Sequence, residues 1–273
     1  MAKKAPLAKA FSKKQRNYSN EAMHRFYLTP AESRQAVLEL TGREAHHALH
    51  VLRLRRGDAA VVMDGEGLAI HCAVAGATKD RLELSVLERK ALPPPPFQVT
   101  LAQAVPKGKL FEDIIEKAVE LGASRIVPLI TERTVGKLEE RDLARKVDKW
   151  QLVAIEALKQ CGAGWLPCIE KPATVAQFAS QKAAVELSFV GSLAGQARHP
   201  KLYFDAFTRE RGRKPGSVSV AIGPEGDFTI DELSTLEATG ARPITMGPLV
   251  LRTETAAIYA LSVINYELQS QDR

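Results

Sequence analysis

Met246-Gly247-Pro248-Leu249-Val250-Leu251-Arg252-Thr253-Glu254-Thr255 is a glycine-bearing turn between a short strand predicted at 243–246 and a helix predicted over 253–268. Two turns of the same kind stand upstream. Gly191-Ser192-Leu193-Ala194-Gly195 follows a strand predicted at 185–190, and Ile222-Gly223-Pro224-Glu225-Gly226 closes one predicted at 218–222. In open α/β sheets, ligands bind beyond the carboxyl ends of strands, where glycine lets backbone approach closely. Taken singly, each turn is only a turn; three in one domain point to a backbone-lined pocket without naming its ligand. In the third turn, Thr253 or Thr255 would cap the helix, Glu254 would complement its dipole, and Arg252 would pair with Glu254. Spacing alone favours that purely structural account. The small Ala256, Ala257 and Ala260 suit a tightly packed helix face or a dimer interface equally.

Working outward, strands alternate with helices. A strand is expected at 99–104, then a helix whose face is Phe111, Ile114, Ile115, Ala118 and Val119 and which stops at Gly122. A strand at 125–130 and a long helix at 139–160 come next. Thr229, with Glu232 three residues on, forms a capping box that opens another helix. This order implies an α/β domain with a mostly parallel sheet covered on both faces. Upstream of Pro93-Pro94-Pro95-Pro96 the pattern is mostly extended: 24–28, a hairpin of 59–63 and 68–74 across Asp64-Gly65-Glu66-Gly67, and 81–87, with a short helix at 42–50 and an apolar/basic alternation at 51–55. Short strands with one helix suggest a small β-barrel. The expected division is a basic arm without fixed structure at 1–22, the barrel at 23–92, a stiff proline linker at 93–97 and the α/β domain at 98–273.

Composition narrows the classes. Hydrophobic residues make up 45% of the 273 and charged residues 26%, enough for a sizeable core. No apolar run reaches the roughly 18–20 residues of a membrane span. Cys72, Cys161 and Cys168 form no CxxC pair, which fits a reducing, cytoplasmic setting. The net charge of +6 comes from the first 25 residues, where seven Lys and Arg face Glu21; the remaining chain balances at 31 against 31. That arm reads first as a solvated extension, second as an RNA-contacting segment, and last as a transit peptide.

The common catalytic motifs are missing: no P-loop, no G-x-S-x-G elbow, no H-E-x-x-H. His46 and His50 lie four apart on a predicted helix but lack further ligands nearby, so a polar face beside Arg53, Arg55 and Arg56, solvated or meeting nucleic acid, is favoured and no metal is expected.

Ordered agreement across both halves then becomes specific. The chain resembles the RsmE family, SPOUT-class methyltransferases acting on N3 of a uridine in 16S ribosomal RNA. The resemblance spans about 24–270 and rests on Ile222–Gly226, Leu249–Ala256, Gln103–Gly108, Glu120–Ala123 and Pro128–Arg133, with Gly42–His47 and Val51–Gly57 in the first domain. It implies a PUA-like RNA-binding barrel, an α/β domain tied in a trefoil knot, S-adenosylmethionine as cofactor and a homodimer. Carried over by position, the cofactor would meet Ser192, Leu193 and Gly195, then Ile222, Gly223, Pro224, Glu225 and Gly226, then Met246, Gly247, Leu249, Leu251 and Thr253. RNA would meet Arg25, His46, His47, Arg53, Arg55, Arg56, Lys107 and Lys109. One departure is Gln160-Cys161-Gly162-Ala163, which lacks the basic residue that the family carries near Ala163.

The chemistry implied is in-line transfer of a sulfonium methyl to a deprotonated uracil N3, whose charge spreads onto O2 and O4. Arg252, or an arginine of the partner subunit, would stabilise that charge. Glu254 would accept the proton, although helix capping explains it at least as well. Two rivals stay open: a SPOUT methyltransferase for another position, such as a ribose 2′-hydroxyl, and an RNA-binding assembly factor without catalysis.

Overall fold

The computed structural model describes residues 24–133, 140–181, 185–193 and 196–270. The basic arm and the expected Gly195 contact lie outside them. The chain divides into two compact units, one of 24–63 and 69–90, the other of 64–68 and the described residues from 91 on.

The first unit holds β1 (His24–Tyr27), α1 (Pro30–Ser33), β2 (Leu38–Leu40), α2 (Gly42–His46), β3 (Ala59–Met63), β4 (Leu68–Ala77) and β5 (Leu82–Ala91). Its sheet runs β1-β3-β4-β5-β2, with β1 parallel to β3 and β3 antiparallel to β4. Alternation decides which side is buried: Ile70, Cys72 and Val74 of β4 and Leu82 and Leu84 of β5 are all buried. Burial pushes the Cys72 thiol up to about 11, so it is an inert core group.

Two local expectations change. The helix predicted at 42–50 widens at His47, and residues His47–Val51 form a π-helical turn closed by the Leu52 N–H on the His47 carbonyl. The alternation at 51–55 makes no strand. Arg53 adopts a left-handed conformation (φ 55°), which breaks the extended period and turns the chain away from any ladder.

The second unit contains β6 (Gln98–Ala104), α3 (Leu110–Glu120), β7 (Arg125–Ile130), α4 (Glu140–Cys161), β8 (Cys168–Ile169), β9 (Ala173–Thr174), α5 (Val175–Ser180), β10 (Leu187–Gly191), α6 (Pro200–Arg211), β11 (Ser217–Ile222), α7 (Ile230–Ala238), β12 (Arg242–Ile244) and α8 (Thr253–Gln269). The sheet order is β12-β10-β11-β6-β7-β8, with β9 also on β7, and every recorded pairing is parallel. Helices α3, α4 and α8 pack together, while α5 packs on α7 over Val127, Leu129, Val190 and Phe228. The five apolar positions expected on α3 are buried, and Phe111 meets Trp150 edge-on at 4.5 Å. Gly122 (φ 77°) ends α3, and Asn265 of α8 donates to the Leu121 carbonyl at 2.7 Å.

Residues 64–68 join the second unit through backbone. The Gly67 N–H donates to the Gly164 carbonyl at 2.9 Å and the Leu166 N–H to the Gly65 carbonyl at 2.8 Å. Gly67 (φ 89°) is required there, because a Cβ would fall 2.5 Å from the Trp165 ring.

The capping box at α7 forms as expected. The Glu232 N–H donates to the Thr229 hydroxyl, and the Thr229 N–H returns a bond to the Glu232 carboxylate. The same carboxylate accepts from the Glu132 N–H at 2.9 Å, so one side chain fixes both the helix and the loop after β7. Thr229→Ala should cost about 1 kcal/mol, lowering the melting temperature by about 2–4 °C in a unit of this size. Differential scanning calorimetry checks it.

Candidate cofactor pocket

Parallel pairing aligns strand ends. Because β12, β10 and β11 are adjacent and parallel, the three glycine-bearing turns leave the sheet along one edge and enclose a single cavity of about 390 Å³. That is within the roughly 300–1,000 Å³ of small-molecule sites. The first turn contributes Ser192 and Leu193 to the wall. From the second come Ile222, Gly223, Pro224 and Glu225. The third supplies Met246, Gly247, Leu249, Leu251 and Thr253.

Each turn is pinned to its neighbour. The Ser192 N–H donates to the Ile244 carbonyl at 3.1 Å, tying the first turn to the end of β12. Asp227, held in a left-handed conformation (φ 61°), accepts from the Phe228 N–H at 2.8 Å and the Leu193 N–H at 3.3 Å. It therefore joins the first turn to the second. Gly191 sits where three strands converge: a Cβ there would lie 2.9 Å from Met246 and 3.2 Å from Ile222. At Gly223 a Cβ would come within 3.1 Å of the Phe228 backbone nitrogen and of the Asp227 carboxylate. Space, and not dihedral freedom, selects glycine at both.

The expected site residues separate by position. Gly226 does not line the wall; its carbonyl accepts from the Arg133 guanidinium behind the turn. Thr253 caps nothing. The N-cap of α8 is Arg252, with no side-chain cap bond, while Thr253 is buried with its hydroxyl donating to the Gly223 carbonyl at 2.7 Å. Arg252 is exposed and Glu254 half-buried, and among the described residues neither side chain has a hydrogen bond or ion pair, so the expected Arg252–Glu254 pair is not formed. Neither belongs to the cavity wall, but each flanks Thr253, which does. Ala197, Asp227 and Thr245 line the cavity but lie outside the three turns singled out in the sequence. Asp227 carried a faint signal, an acid directly after a G-x-x-G turn.

The expected RNA contacts fall on both units. Arg25, His46, Arg53, Arg55 and Arg56 are exposed on the first. The His46 and His50 rings lie 4.9 Å apart, tilted at 45°, whereas His47 is half-buried with its ring edge-on to Phe26 at 6.4 Å. Lys107 and Lys109 are exposed on the second unit, in the loop leaving the carboxyl end of β6. No group of three or more His, Cys, Asp or Glu placed to hold a metal occurs among the described residues.

Comparison with known proteins gives this arrangement a family. Residues 93–265 match the profile of the RNA methyltransferase domain and residues 40–87 that of the RNA methyltransferase PUA domain. Ribosomal RNA small subunit methyltransferase E of a Synechocystis species is 36% identical over 90% of this chain and 78% of its own length. The chain belongs to the RsmE family. The Bacillus subtilis RsmE protein is 29% identical over 90% of this chain and 98% of its own. Among solved structures, a methyltransferase from Legionella pneumophila with bound S-adenosylmethionine superposes with a TM-score of 0.80 at 30% identity, covering 89% of this chain and 97% of that one. RsmE of Neisseria gonorrhoeae, also bound to S-adenosylmethionine, gives 0.76 at 26% identity over 89% and 96%. The RsmE fold expected from sequence, a PUA-like domain followed by a SPOUT α/β domain, is the one observed.

If the cavity is the ligand site, crowding the second turn must close it. Gly223→Val should displace the Asp227–Phe228 backbone and weaken S-adenosylmethionine binding at least about tenfold, the equivalent of about 1.4 kcal/mol. Isothermal titration calorimetry on the purified chain measures this, with circular dichroism confirming that the fold persists.

Proposed function

We propose that this chain methylates N3 of a uridine in the 16S RNA of the small ribosomal subunit, using S-adenosylmethionine held in the cavity at the ends of β10, β11 and β12. The observation that carries the proposal is the junction of that cavity with an unpaired arginine: the third turn runs from the wall directly into Arg252, whose guanidinium is exposed and unpaired among the described residues.

The residues present fit the cofactor. Leu193, Ile222, Met246, Leu249 and Leu251 give apolar surface suited to an adenine ring, and the turns bring backbone polar groups to its edges. Leu193 and Leu249 are 64% and 73% exposed, an unusual openness for large apolar side chains that a bound ring would cover. Glu225 and Asp227 add carboxylates to the lining, which suits a cationic ligand. When bound, S-adenosylmethionine supplies an electrophilic methyl group on a sulfonium.

The chain's own residues do the rest. A uracil N3 that loses its proton puts negative charge on O2 and O4, and the Arg252 guanidinium donates to those oxygens and stabilises that charge. Glu254, one residue into α8 and unpaired among the described residues, takes the proton. It also lies in the first turn of α8, where an acidic side chain complements the helix dipole, so it serves the helix at the same time. A cysteine nucleophile is unnecessary, because N3 needs no covalent activation. Arg25, His46, Arg53, Arg55 and Arg56 on the first unit, with Lys107 and Lys109 on the second, contact RNA phosphates and position the strand without specifying its sequence. The target base leaves its stack to reach the cavity. The active form is a homodimer acting in the cytoplasm. No helix of the described residues is long and apolar enough to cross a membrane.

Arg252→Ala tests the role directly. Methyl transfer to small-subunit RNA should fall about 10²–10³-fold, the usual cost of removing one preorganised donor, while calorimetry shows cofactor affinity nearly intact. Undiminished transfer would remove Arg252 from the chemistry.

A further inference from the structure

Gln103 is fully buried in β6, between Ala102 and Ala104, which are themselves fully buried. A polar side chain in so apolar a place is costly unless bonded. Its Nε2 donates to the Ala104 carbonyl at 2.9 Å and to the Thr253 hydroxyl at 2.8 Å. The hydroxyl donates onward to the Gly223 carbonyl at 2.7 Å. Only one arrangement of protons satisfies all three contacts. The carbonyls of Ala104 and Gly223 can only accept, so the amide must turn its nitrogen to Ala104, and the one hydroxyl proton must go to Gly223. Thr253 is left with a lone pair, which the second amide proton fills. The direction of the relay is thereby fixed: Gln103 to Thr253 to Gly223.

The cost of this arrangement is visible. The other end of the amide, Oε1, is buried with no hydrogen-bond partner among the described residues. A side chain serving only to fill the core would carry no such penalty as leucine or methionine. The amide is also placed where it can act on the site. Gln103 pairs in register with Ile222, the last residue of β11 before Gly223. Thr253 is the first residue of α8, next to Arg252. One relay thus connects three elements: the carboxyl end of β6, the second pocket turn and the start of the helix that carries Arg252 and Glu254.

We infer that Gln103 is a positioning residue for the cofactor turn, acting through the Thr253 hydroxyl to hold the Gly223 carbonyl and the first turn of α8 in one fixed relation. The inference rests on the cavity being the S-adenosylmethionine site. Losing the amide frees the hydroxyl to rotate, and the Gly223 turn and α8 then shift independently. Gln103 is fully buried and does not line the cavity, so its substitution acts on cofactor affinity through Thr253 and leaves RNA affinity as it was.

The test is a double-mutant cycle on the full chain, read by S-adenosylmethionine titration, with Gln103→Met, Thr253→Val and the two combined. Each single change should weaken binding about tenfold, and the pair should weaken it no more than the worse single change, because both break the same relay. Thr253→Ser, which keeps the hydroxyl, should bind more tightly than Thr253→Val. A second readout needs no cofactor: amide exchange at 222–228 and 253–257 should accelerate in Gln103→Met, while β7 stays protected. Multiplicative losses in the cycle, or exchange that rises uniformly across the sheet, would overturn the positioning role and leave the cofactor site standing. A wild-type chain that binds no S-adenosylmethionine would instead overturn the site itself, and the inference with it.

Discussion

Parallel strands share a direction, and the whole candidate site follows from that constraint at one edge of one sheet. With β12, β10 and β11 side by side, the segments that leave their carboxyl ends have nowhere to go but over the same rim. Each segment is rich in backbone and poor in bulk, so the rim becomes a cavity and not a packed seam. Close approach sets the residue types: an added carbon at Gly191 would crowd Met246 and Ile222 of the other two segments, and one at Gly223 would crowd Asp227 and Phe228 as its own segment folds back. Moving β12 elsewhere in the sheet would keep every local turn intact and leave no common pocket.

The return of the chain is the second requirement. After β12 at the edge, α8 comes back to pack on β11, β6 and α3. This is the path expected of the knotted α/β class, and it sets Thr253 in the pocket wall with Arg252 and Glu254 on either side of it in the chain. A helix so placed must be anchored at its first residue. The buried Thr253 hydroxyl provides the anchor, joined to β6 through Gln103 and to the second turn through Gly223. Polar contacts inside an apolar sheet cost desolvation, and here they set a geometry that apolar packing alone would leave free to slide.

Much of this was legible in the sequence, for physical reasons that differ by element. The α3 face, the β3–β4 hairpin and the Thr229–Glu232 box appear as expected because each is decided by local periodicity or local hydrogen bonding. The three turns could be found, and their convergence could not, since strand order is a long-range property. The two-residue strands β8 and β9 are too short to carry a period, and α5 and α6 follow segments whose polarity hides them. Thr253 has the spacing of a cap, but burial and a carbonyl 30 residues upstream claim its hydroxyl instead. Gln103 could have been noticed as one amide in an otherwise apolar strand end. At Arg53 the apolar/basic alternation was real, but the π-helical turn before it and the left-handed residue itself overrode the strand period.

Nucleoside mass spectrometry identifies the atom that receives the methyl group. Small-subunit RNA lacking the modification would be incubated with the purified chain and S-adenosylmethionine carrying a deuterated methyl group, then digested to nucleosides. Label should appear in 3-methyluridine alone, at one site per RNA. Label in a ribose-methylated nucleoside would contradict it and favour another SPOUT specificity; no label, on RNA and subunits alike, would favour an assembly factor that binds without reacting.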